Sequence, residues 1–374
     1  MDDGRNGVPE GGLEDAVQLL TPTGERVDHP DYAFAGDDAL VRDFYADMVR
    51  VRRVDAEAIA LQRQGELGLW PSLLGQEAAQ IGAVHAMRGQ DYAFPTYREH
   101  GVTIGRGVDP LRLLAMFRGI DPGTWDIAGL GVHLYSIIIG TQGLQATGYG
   151  MGLERDGLVG SGDPERDAAV VCFFGDGATS QGDINEGLVF ASSFNAPVVF
   201  FCQNNQWAIS EPIERQSRAP LYRRASGFGM PGVRVDGNDA LAVHAVTTAA
   251  LDRARSGNGP TFIEAYTYRM GAHTTSDDPT KYRLDHELAQ WRERDPISRV
   301  RAYLEATGAA DEAFFAAVDE ESDALATRLR RDCLSLPEPT LAETFDWVYA
   351  TKSPELVEQL ARHEEYVASF EEAR

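Results

Sequence analysis

The stretch AAVVCFFGDGATSQGDINEGLVFASSFNAPVVFFCQNNQWAIS, residues 168–210, decides the fold. Ala168 to Phe174 is a continuous apolar run that ends at a glycine. Such a run reads as a strand buried on both faces, the pattern of parallel sheets. Gly175-Asp176-Gly177 follows at once, and two glycines predict a sharp turn with room for a ligand close to the backbone. Ile184, Leu188, Ala191 and Phe194 then recur at helix spacing. A second apolar strand, Pro197 to Cys202, leads into Asn204-Asn205. The whole is one strand–turn–helix–strand unit with polar groups at the carboxyl ends of both strands. Ligands bind at that edge in open α/β sheets.

Asp176 offers a hard carboxylate oxygen, Asn205 an amide oxygen, and Trp207 a main-chain carbonyl. Three oxygens suit Mg²⁺, whose octahedron is completed by phosphates and water. Taken singly, GDG is an ordinary turn and NN an ordinary loop. Together they stand 29 positions apart, each closing a buried strand. The pair resembles the thiamin diphosphate motif. The flanking residues, GDGATSQGD and QNNQWAIS, are similar to the alpha subunit of 2-oxo acid dehydrogenases, and the similarity runs from about Val41 to Arg299. It implies thiamin diphosphate and Mg²⁺ as cofactors, with Asp176, Asn205 and the Trp207 carbonyl on the metal and Gly177 and Ala178 against the diphosphate.

Outward from this unit, 374 residues with 43% hydrophobic content hold one large α/β domain with appendages, or two smaller ones. The net charge of −24 opposes nucleic-acid or anionic-membrane binding by the general surface. Lys281 and Lys352 are the only lysines. Acid excess with Lys depletion points to a protein that works in high salt, an ordinary acidic protein from a GC-rich genome being the alternative. Three cysteines without CxxC exclude a disulfide scaffold and fit a cytoplasmic location, with Cys172 and Cys202 as buried packing residues. The polar, acidic start, MDDGRNGVPEGG, does not read as a signal peptide, and no apolar run reaches a membrane span.

Residues 1–36, rich in Gly, Asp and Pro, read as an extended arm ordered only where it lies on the body or a partner. Residues 37–299 form the cofactor-binding domain, and 300–374 a charged helical extension. Asp37 to Gln64 has the spacing of a long amphipathic helix, and Gly75 to Met87 that of a second. Next comes FPTYREH. Its Tyr97 and Arg98 are similar to the family's YRE pair that holds the diphosphate, and Arg suits bidentate bonds to phosphate. His100 reads as a surface or helix-capping residue.

Pyruvate and acetoin types of the family carry a GGSMH-like segment where this chain has GIDPGTWDIAGLGVHLYS, with His133 as a conceivable mimic. SIIIGTQGLQ, residues 136–145, is similar to the segment touching the aminopyrimidine and thiazolium. Ile137 and Ile139 then contact the cofactor, Ile139 supporting its bent shape. In branched-chain members this segment also binds a monovalent cation, and Ser136, Thr141 and Gln142 occupy those positions as a K⁺ site. Thr141 also reads as a helix N-cap.

The arginine-rich residues 211–230 read as a loop whose arginines are mostly solvated. RMGAHTTSDDPTKYR, residues 269–283, is a loop at a strand's carboxyl end. It is similar to the family's phosphate-capping loop, and the resemblance implies that His273 faces the diphosphate and the reaction channel, as a cofactor contact and the catalytic residue. An Arg269–Asp277 ion pair is expected to order it. Thr274 stands where mitochondrial relatives carry a regulatory Ser.

The fold expected is an α/β domain with a doubly wound parallel sheet of the thiamin-diphosphate-binding type, with helical additions at both ends. The resemblance implies an alpha subunit of a 2-oxo acid dehydrogenase that oxidatively decarboxylates a 2-oxo acid, branched-chain favoured. Its partners are a beta subunit, in a heterotetramer of two alpha and two beta chains, and a lipoyl-bearing acyltransferase that takes the acyl group. Pyruvate or acetoin dehydrogenase, a transketolase half, and a non-catalytic interaction subunit on the same fold stay open as alternatives.

Overall fold

A computed structural model describes residues 12–121, 123–346 and 348–371. The first eleven residues of the expected arm lie outside them. In chain order the elements are α1 (Asp38–Arg63), α2 (Glu77–Ala86), β1 (Tyr92–Phe94), α3 (His100–Gly105), α4 (Pro110–Arg118), α5 (Thr141–Arg155), β2 (Val170–Gly175), α6 (Gly182–Ser193) and β3 (Val198–Asn204). A small ribbon, β4 (Trp207–Ala208) and β5 (Glu211–Pro212), leads to α7 (Ile213–Gln216), β6 (Gly232–Asp236), α8 (Ala240–Arg255) and β7 (Thr261–Tyr266). The tail is helical: α9 (Asp285–Arg292), α10 (Pro296–Thr307), α11 (Glu312–Leu334), α12 (Leu341–Asp346) and α13 (Pro354–Glu371).

Five strands form one parallel sheet in the order β1-β2-β3-β7-β6, with Val170 paired to Val198 and Val199 to Thr261. Side chains alternate faces along a strand, and the two sets enter two cores. Val171, Phe173, Val199, Phe201 and Ile263 pack under α1, α2 and α8. Val170, Cys172, Phe174, Val198, Phe200 and Cys202 pack under α5 and α6. Helices thus cover both faces, which is why the strands read as unbroken apolar runs. Each fully buried Phe contributes roughly 1.5–3 kcal/mol. All three cysteines are buried and free.

Asp37 caps α1 by accepting from the Leu40 N–H, and Asp239 caps α8 through Leu241 and Ala242. Asp239 also accepts from Leu19 and Leu20, pinning the described part of the arm, where Val17 adds a parallel bridge to Val235. Three expectations change. The cap of α5 is Gly140 at φ 97°, Thr141 being the first helical residue. Residues 211–230 are not a plain loop but contain α7 and a 3₁₀ segment, Leu221–Phe228. Within them Arg224 binds Thr179 and Asn185, and Arg223 binds Asp15. His100 is not at the surface. It is buried, stacks on Trp70 at 4.2 Å, and bonds Tyr135 and the Pro71 carbonyl through its two nitrogens. Burial pushes its pKa down to about 3.

Gly75, just before α2, has φ +93°, and a Cβ there would sit 2.5 Å from the Tyr268 carbonyl oxygen. Gly75→Ala is therefore expected to lower stability by about 2–5 kcal/mol, strain and overpacking combined. Gly65, at φ +84° with open space around it, serves as control: Gly65→Ala carries the left-handed penalty alone, about 1–2 kcal/mol. Urea midpoints of the two variants check the difference.

Candidate active site

The carboxyl ends of four adjacent strands converge on one cavity. β1 leads to Thr96, Tyr97, Arg98 and Glu99, β2 to Asp176 and Gly177, β3 to Asn205 and Trp207, and β7 to Arg269 and His273. The cavity has a volume of about 230 Å³, and its wall is completed by Gln76, Gln142, Gln203 and the rim residues Ile139 and Ile209. Because the strands are parallel and in register, residues scattered from 96 to 273 arrive at one edge.

β2 ends in a 3₁₀ turn, Asp176–Ser180, rather than entering its helix directly. Gly175 is extended at φ −83°, so the turn does not depend on left-handed glycine. Gly177 is required by closeness instead: a Cβ there would meet the Ala208 Cβ at 2.8 Å. Asp176 is 1% exposed. Burial raises its pKa to about 6, against the opposing effect of a 2.8 Å bond from Gln216 and the nearby Arg269 charge. Asn205 donates its amide to Gln76 and accepts from the Trp207 N–H through its oxygen. The Trp207 carbonyl accepts from Arg269 at 3.0 Å. The three expected metal ligands thus line one cavity, with one lone pair of the Trp207 carbonyl already engaged.

Arg98 is 5% exposed. Its guanidinium donates to the Ser72 carbonyl at 2.6 Å, to the His273 carbonyl at 2.9 Å and to His273 Nδ1 at 3.1 Å. Arg269 donates to the same Nδ1 at 3.3 Å. A guanidinium only donates, so Nδ1 is an acceptor and the ring proton resides on Nε2. Burial, then the two Arg charges, lower the His273 pKa to about 3. The ring of Tyr97 meets His273 edge-on at 6.3 Å.

The loop 269–283 is ordered differently from expectation. Among the described residues Arg269 and Asp277 form no ion pair. Tyr282 stands between them, accepting from Arg269 at 3.0 Å and donating to Asp277, which also accepts from the His273 N–H at 2.8 Å. The loop is stitched to residues 70–75 by Trp70 N–H to Thr275 Oγ1, Thr275 N–H to Trp70 O and Met270 N–H to Leu74 O. That segment is held from below by buried Asp55, which accepts from Trp70, Ser72 and Leu73.

Other expected residues stand apart. Ile137 is 57% exposed and does not line the cavity. Of Ser136, Thr141 and Gln142, only Gln142 lines it, donating to the Phe173 carbonyl; Ser136 is half-buried, 3.5 Å from Gln145. His133 packs on Phe94 outside the cavity. Residues not foreseen are Gln76, Glu99, Gln203, Gln216 and Arg269 as a cavity cation. Glu99 lies next to the recognised Tyr-Arg pair, which is the one signal that pointed to it. It is 1% exposed and accepts from Thr96 and Gln203, while burial raises its pKa.

The donors and acceptors of the cavity suit a magnesium-bound diphosphate. Arg98, Arg269 and the His273 Nε2–H supply positive charge and donors. Among the described residues Arg269 Nε and Gln76 Nε2 are buried without partners, and Gly177 allows close backbone approach. Opposite them stand the oxygens of Asp176, Asn205 and Trp207. Donors for an anion beside hard oxygens for a cation fit that pair.

A family model described as dehydrogenase E1 component matches residues 45–328. The alpha subunit of 3-methyl-2-oxobutanoate dehydrogenase from Mycobacterium tuberculosis is 44% identical over 348 residues, 92% of each chain. The alpha subunit of the pyruvate dehydrogenase E1 component from Staphylococcus epidermidis is 36% identical over 351 residues, 93% of this chain and 92% of that one. Its Staphylococcus aureus counterpart is 40% identical over 294 residues, 78% of this chain and 77% of that one.

Proposed function

This chain belongs to the dehydrogenase E1 component family, and from that premise we propose that it is the alpha subunit of a branched-chain 2-oxo acid dehydrogenase. The observation that carries the substrate class is the 44% identity over 92% of both chains to a 3-methyl-2-oxobutanoate dehydrogenase alpha subunit, beside 36–40% to pyruvate types. Membership of the family brings thiamin diphosphate dependence, a beta subunit and a place in a larger complex. The finer reading is ours: two alpha and two beta chains, Mg²⁺ on Asp176, Asn205 and the Trp207 carbonyl, and transfer of the acyl group to a lipoyl-bearing transferase. Residues 37–299 are read as a doubly wound cofactor domain, 1–36 as an arm and 300–374 as a helical extension. A cytoplasmic location is part of this reading; no helix among the described residues is long and apolar enough to cross a membrane.

The chemistry supplied by bound thiamin diphosphate is attack on a 2-oxo carbon and stabilisation of the negative charge left when CO₂ departs. This chain's residues hold and orient. Arg98 and Arg269 face the phosphate charge, Tyr97 flanks it, Gly177 and Ala178 bring backbone close, and Ile139 supports the organic part. Ile137 is assigned to the same part at the exposed mouth. His273 is neutral at working pH, with the proton on Nε2, so it enters as a hydrogen-bond donor towards phosphate and substrate rather than as a base. Ser136, Thr141 and Gln142 are proposed as the K⁺ site that forms when the mouth is covered.

A branched-chain pocket gains about 0.8 kcal/mol for each methylene it buries, and pockets of this kind discriminate about 10- to 200-fold per methylene. The assembled enzyme is expected to use 4-methyl-2-oxopentanoate and 3-methyl-2-oxopentanoate with a kcat/KM at least about 10-fold above that for pyruvate. A preference for pyruvate in that comparison would replace the substrate class and leave the cofactor assignment standing.

A further inference from the structure

Of the four glutamines that line the cavity, Gln76, Gln142, Gln181 and Gln203, three have one buried amide atom without a partner among the described residues: Gln76 Nε2, Gln142 Oε1 and Gln203 Oε1. In each the other amide atom is anchored. Gln142 donates to the Phe173 carbonyl, Gln203 donates to Glu99, and Gln76 accepts from Asn205 Nδ2 at 3.1 Å. Gln76 is the one of the three that leaves a donor open. It is 0% exposed, and a buried amide N–H without a partner calls for a reason.

Its position is over-determined. Gly75 is wedged against Tyr268, its N–H bonded to Glu77, and Glu77 is held by Arg52. One turn on, Gln80 binds the Arg98 carbonyl and the Gly101 N–H. The start of α2 is therefore fixed to the segment carrying Arg98 on one side and to Asn205 on the other. The bond that Asn205 Nδ2 donates to Gln76 Oε1 ties down the nitrogen of the Asn205 amide, so its oxygen stays opposite. The free N–H₂ of Gln76 shares the wall with Arg98, Arg269 and His273, whose chemistry selects an anion.

We propose that Gln76 is a cofactor-holding residue with two functions: its Oε1 fixes the Asn205 oxygen as a cation ligand, and its Nε2 donates to a phosphate oxygen of the diphosphate. This rests on the thiamin diphosphate reading of the site. Gln76 acts on affinity for the magnesium-bound diphosphate, separately from turnover.

The test is calorimetric titration of the enzyme assembled with its beta subunit, using thiamin diphosphate and, separately, inorganic pyrophosphate, each with Mg²⁺. Gln76→Glu keeps the acceptor for Asn205 but replaces the donor with a negative charge. It is expected to weaken both probes by a similar factor, about 10- to 100-fold. Gln76→Leu also frees the Asn205 amide and is expected to raise the Mg²⁺ concentration needed for half-saturation. A residue that merely packs α2 would lower the melting temperature of the cofactor-free enzyme instead and leave both dissociation constants in place. Should Gln76→Leu or Gln76→Glu not fold, Gln76→Asn keeps the amide but withdraws it by one methylene, and the same loss of affinity is expected of it. Affinities within twofold of wild type for the folded variants overturn the proposal. Failure of the wild-type enzyme to bind thiamin diphosphate overturns the site reading itself, a result distinguishable from the first.

Discussion

Asp176→Ala is expected to weaken Mg²⁺-dependent thiamin diphosphate binding by the assembled enzyme on the order of 30- to 4,000-fold. This corresponds to about 2–5 kcal/mol for removing one partner of a buried charge contact. The carboxylate is 1% exposed and is the only charged group among the three proposed cation ligands. Without it the diphosphate meets a cation site of two neutral oxygens. The same burial gives a pH dependence. The pKa of Asp176 in the cofactor-free protein is about 6, above the ordinary 3.8. The folded state thus binds the proton more tightly than the unfolded one. The stability this contributes is present below pH 3.8 and lost as pH rises through 6. A cation must displace that proton, so cofactor affinity should fall as pH falls through 6. Asp176→Asn, which keeps an acceptor for Gln216, should at pH 7 raise the melting temperature of the cofactor-free protein while weakening cofactor binding. Calorimetry and thermal melts over pH 5–8 check both signs; unchanged micromolar affinity in Asp176→Ala would end the metal assignment.

The purified chain without its beta subunit is expected to decarboxylate no 2-oxo acid, and addition of the partner to restore turnover. Thiamin chemistry needs a carboxylate against the cofactor's ring nitrogen, and the proposed alpha–beta assembly would supply it from the beta subunit. The carboxylates lining this cavity are Asp176 and Glu99. Asp176 is the proposed cation ligand, and Glu99 is occupied by both Thr96 donors and the Gln203 amide. No spare group is left for the ring. The mouth is also unfinished, since Ile139 and Ile209 are 38% and 56% exposed where an organic ligand would lie. Exposed apolar side chains at a cavity rim mark a surface that something covers. Assays with an artificial electron acceptor, with and without the beta subunit, measure the effect; turnover by the chain alone would sink the split-site reading.

Strands and helices were legible because their signals are local and periodic. Phe173, Phe174, Phe200 and Phe201 announce a sheet covered on both sides, and the three-and-four spacing between Asp37 and Gln64 announces α1. Asp176, Asn205, Arg98 and His273 were legible through the resemblance, and parallel pairing brings them to one edge. What escaped depends on tertiary geometry. Gln76 is one amide in an Ala-rich helix start, and only its partner Asn205, just past the end of β3, distinguishes it. His100 sits in a charged sequence, YREH, yet its ring is enclosed by Trp70, Phe117 and Tyr135. The need for glycine at 177 comes from Ala208, thirty-one positions later, not from the turn itself. Tyr282 displaced the expected Arg269–Asp277 pair because a phenol can serve a cation and a carboxylate together.

Arg98 grips the Ser72 carbonyl with one nitrogen and His273 with another, while Trp70, Leu74, Met270 and Thr275 join the same two segments through main-chain bonds. The strands of the sheet do not connect these segments. They share instead one set of cross-links, so neither peels away while the other stays. Residues 70–75 and 269–275 consequently make a single cooperative unit of local opening, and a disturbance at either reaches the imidazole and the guanidinium in one step.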